Sequence, residues 1–318
     1  MATLPQWQPE FYYWLLISAV ILAERFIPAP RLSHPLMIWR RIALAMAHKV
    51  HKLSHSRSQQ RISGLMAALT LLAPWLVIAA LLYWISDLDW LFSALMLFFC
   101  LHSHSALRDI RNTQQALAQG QKHLARELVQ RHLARDAATL SPLGIHKASI
   151  ESHSRLLVHG WLATLLWFVI AGPVAALAYR GLYEIAQAWP VARRQWRDFG
   201  FAANWLMRGL AWPAVMLAWG VLALRQLLGG KILPYRFAAQ PFMHSNDGRL
   251  WRAVAHRLQI SLGGPIMLDG IKQQRPRFLM GAEASAIDIR RCLQLGYKLQ
   301  VACWLILSPL FLIGIVSP

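Results

Sequence analysis

Carboxylates that could do chemistry are few in this chain: Asp136, Glu151, Glu184, Asp198, Asp247, Asp269, Glu283 and Asp288. Cationic partners are plentiful, among them Arg135, Arg155, Arg180, Arg208, Arg249 and Arg252. Carboxylates hold magnesium or take up protons, and arginines hold phosphates and carboxylates. The two types meet most densely between Arg135 and Arg180. Arg135-Asp136 and Glu151-Ser152 precede an apolar run over 156–179 that only His159 and Gly172-Pro173 interrupt. Two readings of Glu151 and Arg135-Asp136 stand side by side: contacts to substrate or metal, and a salt-bridge network at a helix end. His159 is an ionisable group inside an apolar segment, which marks it as functional or as a hydrogen-bonded structural histidine. Tyr179-Arg180 ends the run, as a snorkelling anchor or as part of a site.

Other candidates carry less. His48, His51 and His55 share a helical face, but no carboxylate accompanies them and lysine is adjacent. His102-Ser103-His104 points its histidines to different faces. His244-Ser245-Asn246-Asp247-Gly248 is a polar turn. Gly263-Gly264-Pro265 either exposes backbone amides to an anion or closes an apolar helix. No phosphate-loop, HExxH, GxSxG or GxGxxG string is present.

The elements that must position these groups are membrane segments. Of 318 residues, 56% are hydrophobic and 15% charged, and fifteen are Trp. Several apolar runs approach the roughly 20 residues that cross a bilayer. The formal charge is +19. Lys and Arg in short loops hold those loops on the cytoplasmic side. No nucleic-acid-binding pattern is present. Cys100, Cys292 and Cys303 are far apart and read as buried thiols.

In order, 11–23 is a short apolar segment and 31–61 a basic interfacial helix. Residues 65–85 and 91–101 form a hairpin closed by Asp87 and Asp89. Helices broken near Gly120 follow in an aqueous stretch. Residues 156–179 kink at Gly172-Pro173. Further apolar segments cover 209–227 and 299–316. The positive-inside rule conflicts with single crossings, because Arg193, Arg194 and Arg197 would then lie outside. Re-entrant segments around Pro173 or Pro213 would resolve this. The fold expected is all-α: a polytopic integral membrane protein with five to six membrane segments and helical cytoplasmic regions. Its parts are 1–101, 102–155, 156–228, 229–298 (with LGGP) and 299–318.

The residues resemble the CobD/CbiB family of membrane cobalamin-biosynthesis proteins, and more distantly the AmpE proteins. His34-Pro35 before a Trp39-containing basic helix resembles an early family segment. Arg135-Asp136 followed by Ala148-Ser149-Ile150-Glu151-Ser152 is similar to its RD…AxVE-S/T. Gly172-Pro173 with Ala176-Leu177-Ala178-Tyr179-Arg180 resembles its GxPxAMAY-R/K. Ala203-Asn204-Trp205-Leu206 is similar to its ANYL. His244-Ser245, then Leu262-Gly263-Gly264-Pro265 with Gly270, Pro276 and Gly281, resembles its late LGGP block. The family's ENxxDG is Arg155-Leu156-Leu157-Val158-His159-Gly160 here, so several family acidic positions are absent.

The resemblance implies an amide-forming ligase of the adenosylcobinamide-phosphate synthase type. It would join adenosylcobyric acid to aminopropanol or its phosphate in a bacterial inner membrane. It implies Glu151 and Asp136 as catalytic groups. Substrate contacts would come from Arg135, Ser152, Tyr179, Arg180, Asn204, His244, Ser245, Gly263, Gly264 and Pro265. It implies ATP and Mg2+ as cofactors. Partners would be a corrinoid, a small amine or phosphoamine and membrane lipids, with a homodimer or corrin-pathway enzymes as further partners and no nucleic acid. The missing acidic positions motivate the alternative of a non-catalytic AmpE-like signalling or scaffold protein.

Overall fold

An apolar segment in lipid must satisfy its own backbone, which a helix does. The chain accordingly builds its membrane part from helices, in a computed structural model that describes residues 9–27, 34–101, 104–227 and 244–309. Helix α1 covers Pro9–Phe26, α2 Pro35–Val50, α3 Arg57–Ile85 and α4 Asp89–Leu101. Ser56 and Gln59 close a capping box at the start of α3. His34 caps α2, its Nδ1 accepting from the Leu36 N–H at 3.3 Å. The face of His48 and His51 is packed on aromatic rings, with Trp196 at 5.7 and 5.2 Å between centroids.

Among the described residues, four helical stretches are long and apolar enough to cross a membrane: Arg57–Ile85, Asp89–Ala118, Pro142–Ala188 and Phe201–Leu224. The expected count of five to six is higher. The apolar part of α1, Tyr13–Glu24, is short, and the expected last segment runs beyond the described residues.

Helices α5 (His104–Ala118) and α6 (Lys122–Gln130) are separated by Gly120, at φ +74°. Helix α7 (Pro142–Arg155) runs through a π-helical turn, Leu156–Leu162, into α8, Ala163–Ala188. Within α8 the backbone leaves the helix at Ala171 and Gly172, the latter at φ 78°, ψ −171°. That region is essentially open to glycine alone, and Pro173 suits the first turn of the helix that restarts. The two arms run antiparallel. Arg155 donates to Gln187 Oε1 at 2.9 Å, Arg180 to the Gly160 carbonyl at 2.7 Å, and the Tyr179 hydroxyl to the His159 carbonyl at 2.6 Å. Arg155, near the start of one arm, meets Gln187 at the end of the other, while His159 and Gly160 meet Tyr179 and Arg180 closer to the break, so the segment doubles back on itself.

That hairpin brings Arg193 to Arg197 back to the end of the molecule at which α7 begins. The loop after α8 touches other polar segments: Arg193 Nε donates to the Ala134 carbonyl at 2.7 Å, the Arg194 N–H to Asp269 Oδ2 at 3.0 Å, and Arg61 to Asp198 at 3.0 Å. All these segments share one face of the protein. Helix α2 braces the returning arm, with Trp39 Nε1 bonded to the Gly181 carbonyl and Trp189 Nε1 to the Ala43 carbonyl. Trp161, Phe168, Tyr179 and Trp189 are fully buried there.

Helix α9 covers Phe201–Leu227, α10 Ser245–Leu258 and α11 Ala286–Leu307. Between α10 and α11 the chain forms short strands, where helical structure was expected around the LGGP turn. Strand β1 is Ile260–Gly263, β2 Ile266–Leu268, β3 Ile271–Gln273, β4 Arg277–Leu279 and β5 Ala282–Glu283. β1 pairs antiparallel with β4, Leu262 opposite Phe278, and parallel with β5. β2 and β3 make a hairpin turned at Asp269-Gly270, both at positive φ. The protein is still predominantly helical, and this β patch is minor.

Candidate functional site

Glu151 sits in the last turn of α7, 2% exposed, on the polar face of the protein. An ionised carboxylate at that depth needs partners on every side. Arg275 Nη2 reaches its two oxygens at 2.8 and 2.9 Å, Arg135 reaches Oε2 at 3.2 Å, and the Gly263 N–H donates to Oε1 at 2.9 Å. The anion that the LGGP backbone meets is thus the chain's own Glu151. Gly263 has φ +75°, and a Cβ there would stand 2.2 Å from the Pro276 carbonyl oxygen. Only glycine lets β1 come this close while aiming its N–H at the carboxylate. Arg275 also donates to the Gly264 carbonyl and stacks over Trp251 at 4.9 Å, and Trp251 Nε1 bonds the Glu151 carbonyl.

Beside this knot lies a cavity of about 340 Å³. Its wall carries five arginines, Arg135, Arg155, Arg197, Arg208 and Arg275, against two carboxylates, Glu151 and Asp247. Burial pulls the Arg135 guanidinium down to about 10, against the opposing influence of Glu151, so it stays charged at neutral pH. The excess of cations makes an anion site of this space.

Asp247 stands in the first turn of α10 with Oδ1 3.3 Å from His159 Nε2. Neither atom has a partner in hydrogen-bond geometry, and both are buried. Burial pushes the Asp247 carboxyl up, but His159, Arg155 and Arg208 outweigh it and hold it well below the usual range. His159, Asp247 and His244 also line a smaller annex of about 60 Å³, together with Arg155 and Arg208. His244 caps α10, Nδ1 accepting from the Asn246 N–H at 3.1 Å. Burial first, then Arg208, pulls His244 down to about 4, so it is neutral at pH 7.

The cavity brings together Glu151, Arg135, Ser152 and His244 among the residues singled out in the sequence. Gly263 and Gly264 join it through Glu151 and Arg275. Asn204 lines the annex and ties the carbonyls of Trp189 and Gly200 at 2.8 and 2.9 Å. Tyr179 and Arg180 lie elsewhere, brace the hairpin and, for Arg180, pair with Glu184 at 3.0 Å. Asp136 is half-exposed outside the cavity wall, 3.8 Å from Arg193. Ser245 and Pro265 do not line the cavity. Arg275, Arg197 and the pairing of Asp247 with His159 join the site without having stood out as site groups in the sequence. Asp247 was visible as part of a polar turn; Arg275 carried no local signal.

Arginines of this number suit the phosphates of ATP. The donor set for magnesium is thin. No group of three His, Cys, Asp or Glu capable of holding a metal occurs among the described residues. Glu151 is committed to Arg135, Arg275 and Gly263, which leaves Asp247 as a single carboxylate. A metal at this site would have to be carried mainly by phosphate and water.

A family model described as CobD/Cbib protein matches residues 16–296. The chain is 28% identical over 285 residues to a "Cobalamin biosynthesis protein CobD" of Chromobacterium violaceum, covering 88% of this chain and 91% of that one. It is 25% identical over 293 residues to the protein of that name from Stutzerimonas stutzeri, covering 92% and 96%. A "Cobalamin biosynthesis protein CbiB" of Salmonella arizonae is 25% identical over 257 residues, covering 76% and 79%. No solved structure matches.

Proposed function

The chain belongs to the CobD/CbiB family of cobalamin-biosynthesis proteins, and from that premise we propose that it is an amide-forming synthase whose arginine-walled cavity binds the small anionic substrate. The acyl group comes from the free carboxylate of adenosylcobyric acid. The amine that accepts it is aminopropanol or its phosphate, and the product is an adenosylcobinamide or its phosphate. The observation that carries the reading is the convergence of five arginines on one cavity beside the His159–Asp247 pair.

Size assigns the parts. A volume of about 340 Å³ accommodates a phosphoamine or a chain of phosphates, at the lower end of ordinary ligand sites. A corrin ring is too large for it and would lie across the mouth, presenting its carboxylate inward. Arg155, Arg197 and Arg208 would hold the phosphate and the carboxylate close together, which removes much of the entropic barrier to their reaction. ATP, held by the same arginines, would supply the activation that turns the carboxylate into an acyl donor. An amine arrives largely protonated. Asp247, ionised and beside His159, is placed to pair with that ammonium and orient the nitrogen, whose proton leaves to water as it attacks. Glu151 acts as a positioning residue: it fixes Arg135 and Arg275 and pins β1 to α7. The family setting and the membrane-capable helices support placement in the bacterial inner membrane, with the polar face in the cytoplasm.

One observation favours a second reading. Glu151, an acidic residue retained from the family pattern, is saturated by its own arginines, as in a purely structural knot. That suits a non-catalytic AmpE-like membrane protein. Incubating the detergent-purified chain with adenosylcobyric acid, ATP, Mg2+ and aminopropanol phosphate separates the two. The synthase reading expects a corrinoid whose mass rises by that of the amine less one water. An unchanged corrinoid mass with a folded protein supports the second reading.

A further inference from the structure

A second cationic cleft lies away from this site, between α5 and α11, with a volume of about 690 Å³. Arg111 on α5 and Arg290 and Lys298 on α11 line it, with Gln115, Gln294 and Tyr297 between them. No carboxylate is part of its wall. Asp288, the nearest acid along α11, is taken by Arg291 and Ser285. Among the described residues none of Arg111, Arg290 and Lys298 forms an ion pair. Three cations facing one space repel each other unless an anion enters.

The order of residues along α11 says what kind of anion fits. Arg290, Gln294, Tyr297, Val301 and Leu305 follow at spacings of three and four, which places them on one face of the helix. All five are exposed. The face therefore runs from charge, through an amide and a tyrosine, to bare aliphatic surface. Tyr297 stands where aromatic side chains mark a membrane interface. Beyond it Val301, Leu305 and Ile306 are exposed as lipid-facing residues are. A soluble phosphate would use only the upper third of this face.

We propose that the α5–α11 cleft binds the phosphodiester headgroup of an anionic membrane phospholipid, with an acyl chain lying along Val301 and Leu305. Arg111 and Arg290 grip the phosphate from opposite helices and Lys298 adds a point charge at the level of the tyrosine. The lipid then clamps α11, whose polar half follows the β patch, to α5, which follows the α3–α4 hairpin. This site is independent of the arginine cavity and of the reaction assigned to it.

Native mass spectrometry of the detergent-purified chain tests it, with dioleoyl phosphatidylglycerol as probe. The expected result is a bound phosphatidylglycerol in the wild type that dioleoyl phosphatidylcholine does not displace. Occupancy should fall at least fivefold in Arg290→Gln/Lys298→Gln. These side chains are exposed, so without lipid the variant is expected to keep the wild-type melting profile. Arg111→Gln, on the other helix, should give a comparable loss and serves as the second variant. Equal occupancy in the wild type and both variants overturns the proposal. So does displacement of the lipid by millimolar inorganic phosphate, which would make the cleft a soluble-anion site, or by phosphatidylcholine, which would make it a mere apolar annulus.

Discussion

Arg275 Nη2 lies 2.8 Å from one oxygen of Glu151 and 2.9 Å from the other, across 124 residues of sequence. The contact joins the end of α7, which continues into the re-entrant hairpin, to the turn between β3 and β4. Arg135 and the Gly263 N–H complete the shell. Removing the carboxylate leaves two buried guanidiniums facing each other. Breaking one partner out of a buried ion pair costs about 3–5 kcal/mol. Glu151→Gln is therefore expected to lower the melting temperature sharply in detergent, and membrane yield with it. A variant that melts as the wild type does would show the knot to be dispensable. Lost activity in Glu151→Ala, on this account, reports lost architecture.

Asp247 is the better probe of chemistry. Asp247→Asn keeps the volume and removes the negative charge. We expect a rate loss of about 10²-fold, the size of effect that misplacing a reacting group produces, together with a lower melting temperature, since His159, Arg155 and Arg208 lose the buried carboxylate they face. Product formation by mass spectrometry, paired with the melt, measures both. A full rate in the variant would remove Asp247 from the reaction.

Gly263 and Gly264 separate two kinds of constraint. Both have positive φ, but a Cβ at Gly263 meets the Pro276 oxygen at 2.2 Å while one at Gly264 meets open space. Gly264→Ala is expected to cost roughly 1 kcal/mol of backbone strain. Gly263→Ala must also displace β4 and loosen the Glu151 contact, and should cost at least twice as much. Thermal melts of the two variants side by side check the order.

The acid limb of stability should carry the signature of His244. Its folded pKa, about 4, lies below the unfolded value of 6.5. Between these values the unfolded chain binds more protons, so stability from this group is full above about pH 6.5 and lost progressively as pH falls to about 4. The loss is partial, since the ring is half-buried; about 1 kcal/mol, the size of one capping bond, is expected. His244→Asn keeps a capping side chain and does not titrate, so its melting temperature should fall less between pH 7 and 5 than that of the wild type. Parallel slopes would assign the acid sensitivity to other groups.

The re-entrant hairpin was partly legible in the sequence. Gly172-Pro173 marks a break that only glycine tolerates, and the positive-inside rule favoured a return for the arginines after it. Labelling tests the outcome: Ala192→Cys and Ala138→Cys should react with an impermeant maleimide from the same side of the membrane, and opposite sides would contradict the hairpin. The strands between α10 and α11 were not legible, because runs of two to four residues cannot display an alternating pattern. Arg135, Glu151 and Gly263 were found through motif spacing. Arg275 was not, because its meaning rests on a contact made across the fold. Asp136 parts from its neighbour in space: Arg135 turns into the knot while Asp136 faces Arg193 outside the cavity wall.

The central claim is that the arginine cavity with Asp247 performs amide synthesis on a corrinoid. Growth of a bacterium lacking its own cobinamide synthase, fed cobyric acid and dependent on corrinoid, tests it most directly. The wild-type chain should restore growth and Asp247→Asn, present in the membrane at the same level, should not. No growth with well-expressed wild type, or equal growth with Asp247→Asn, would contradict the claim.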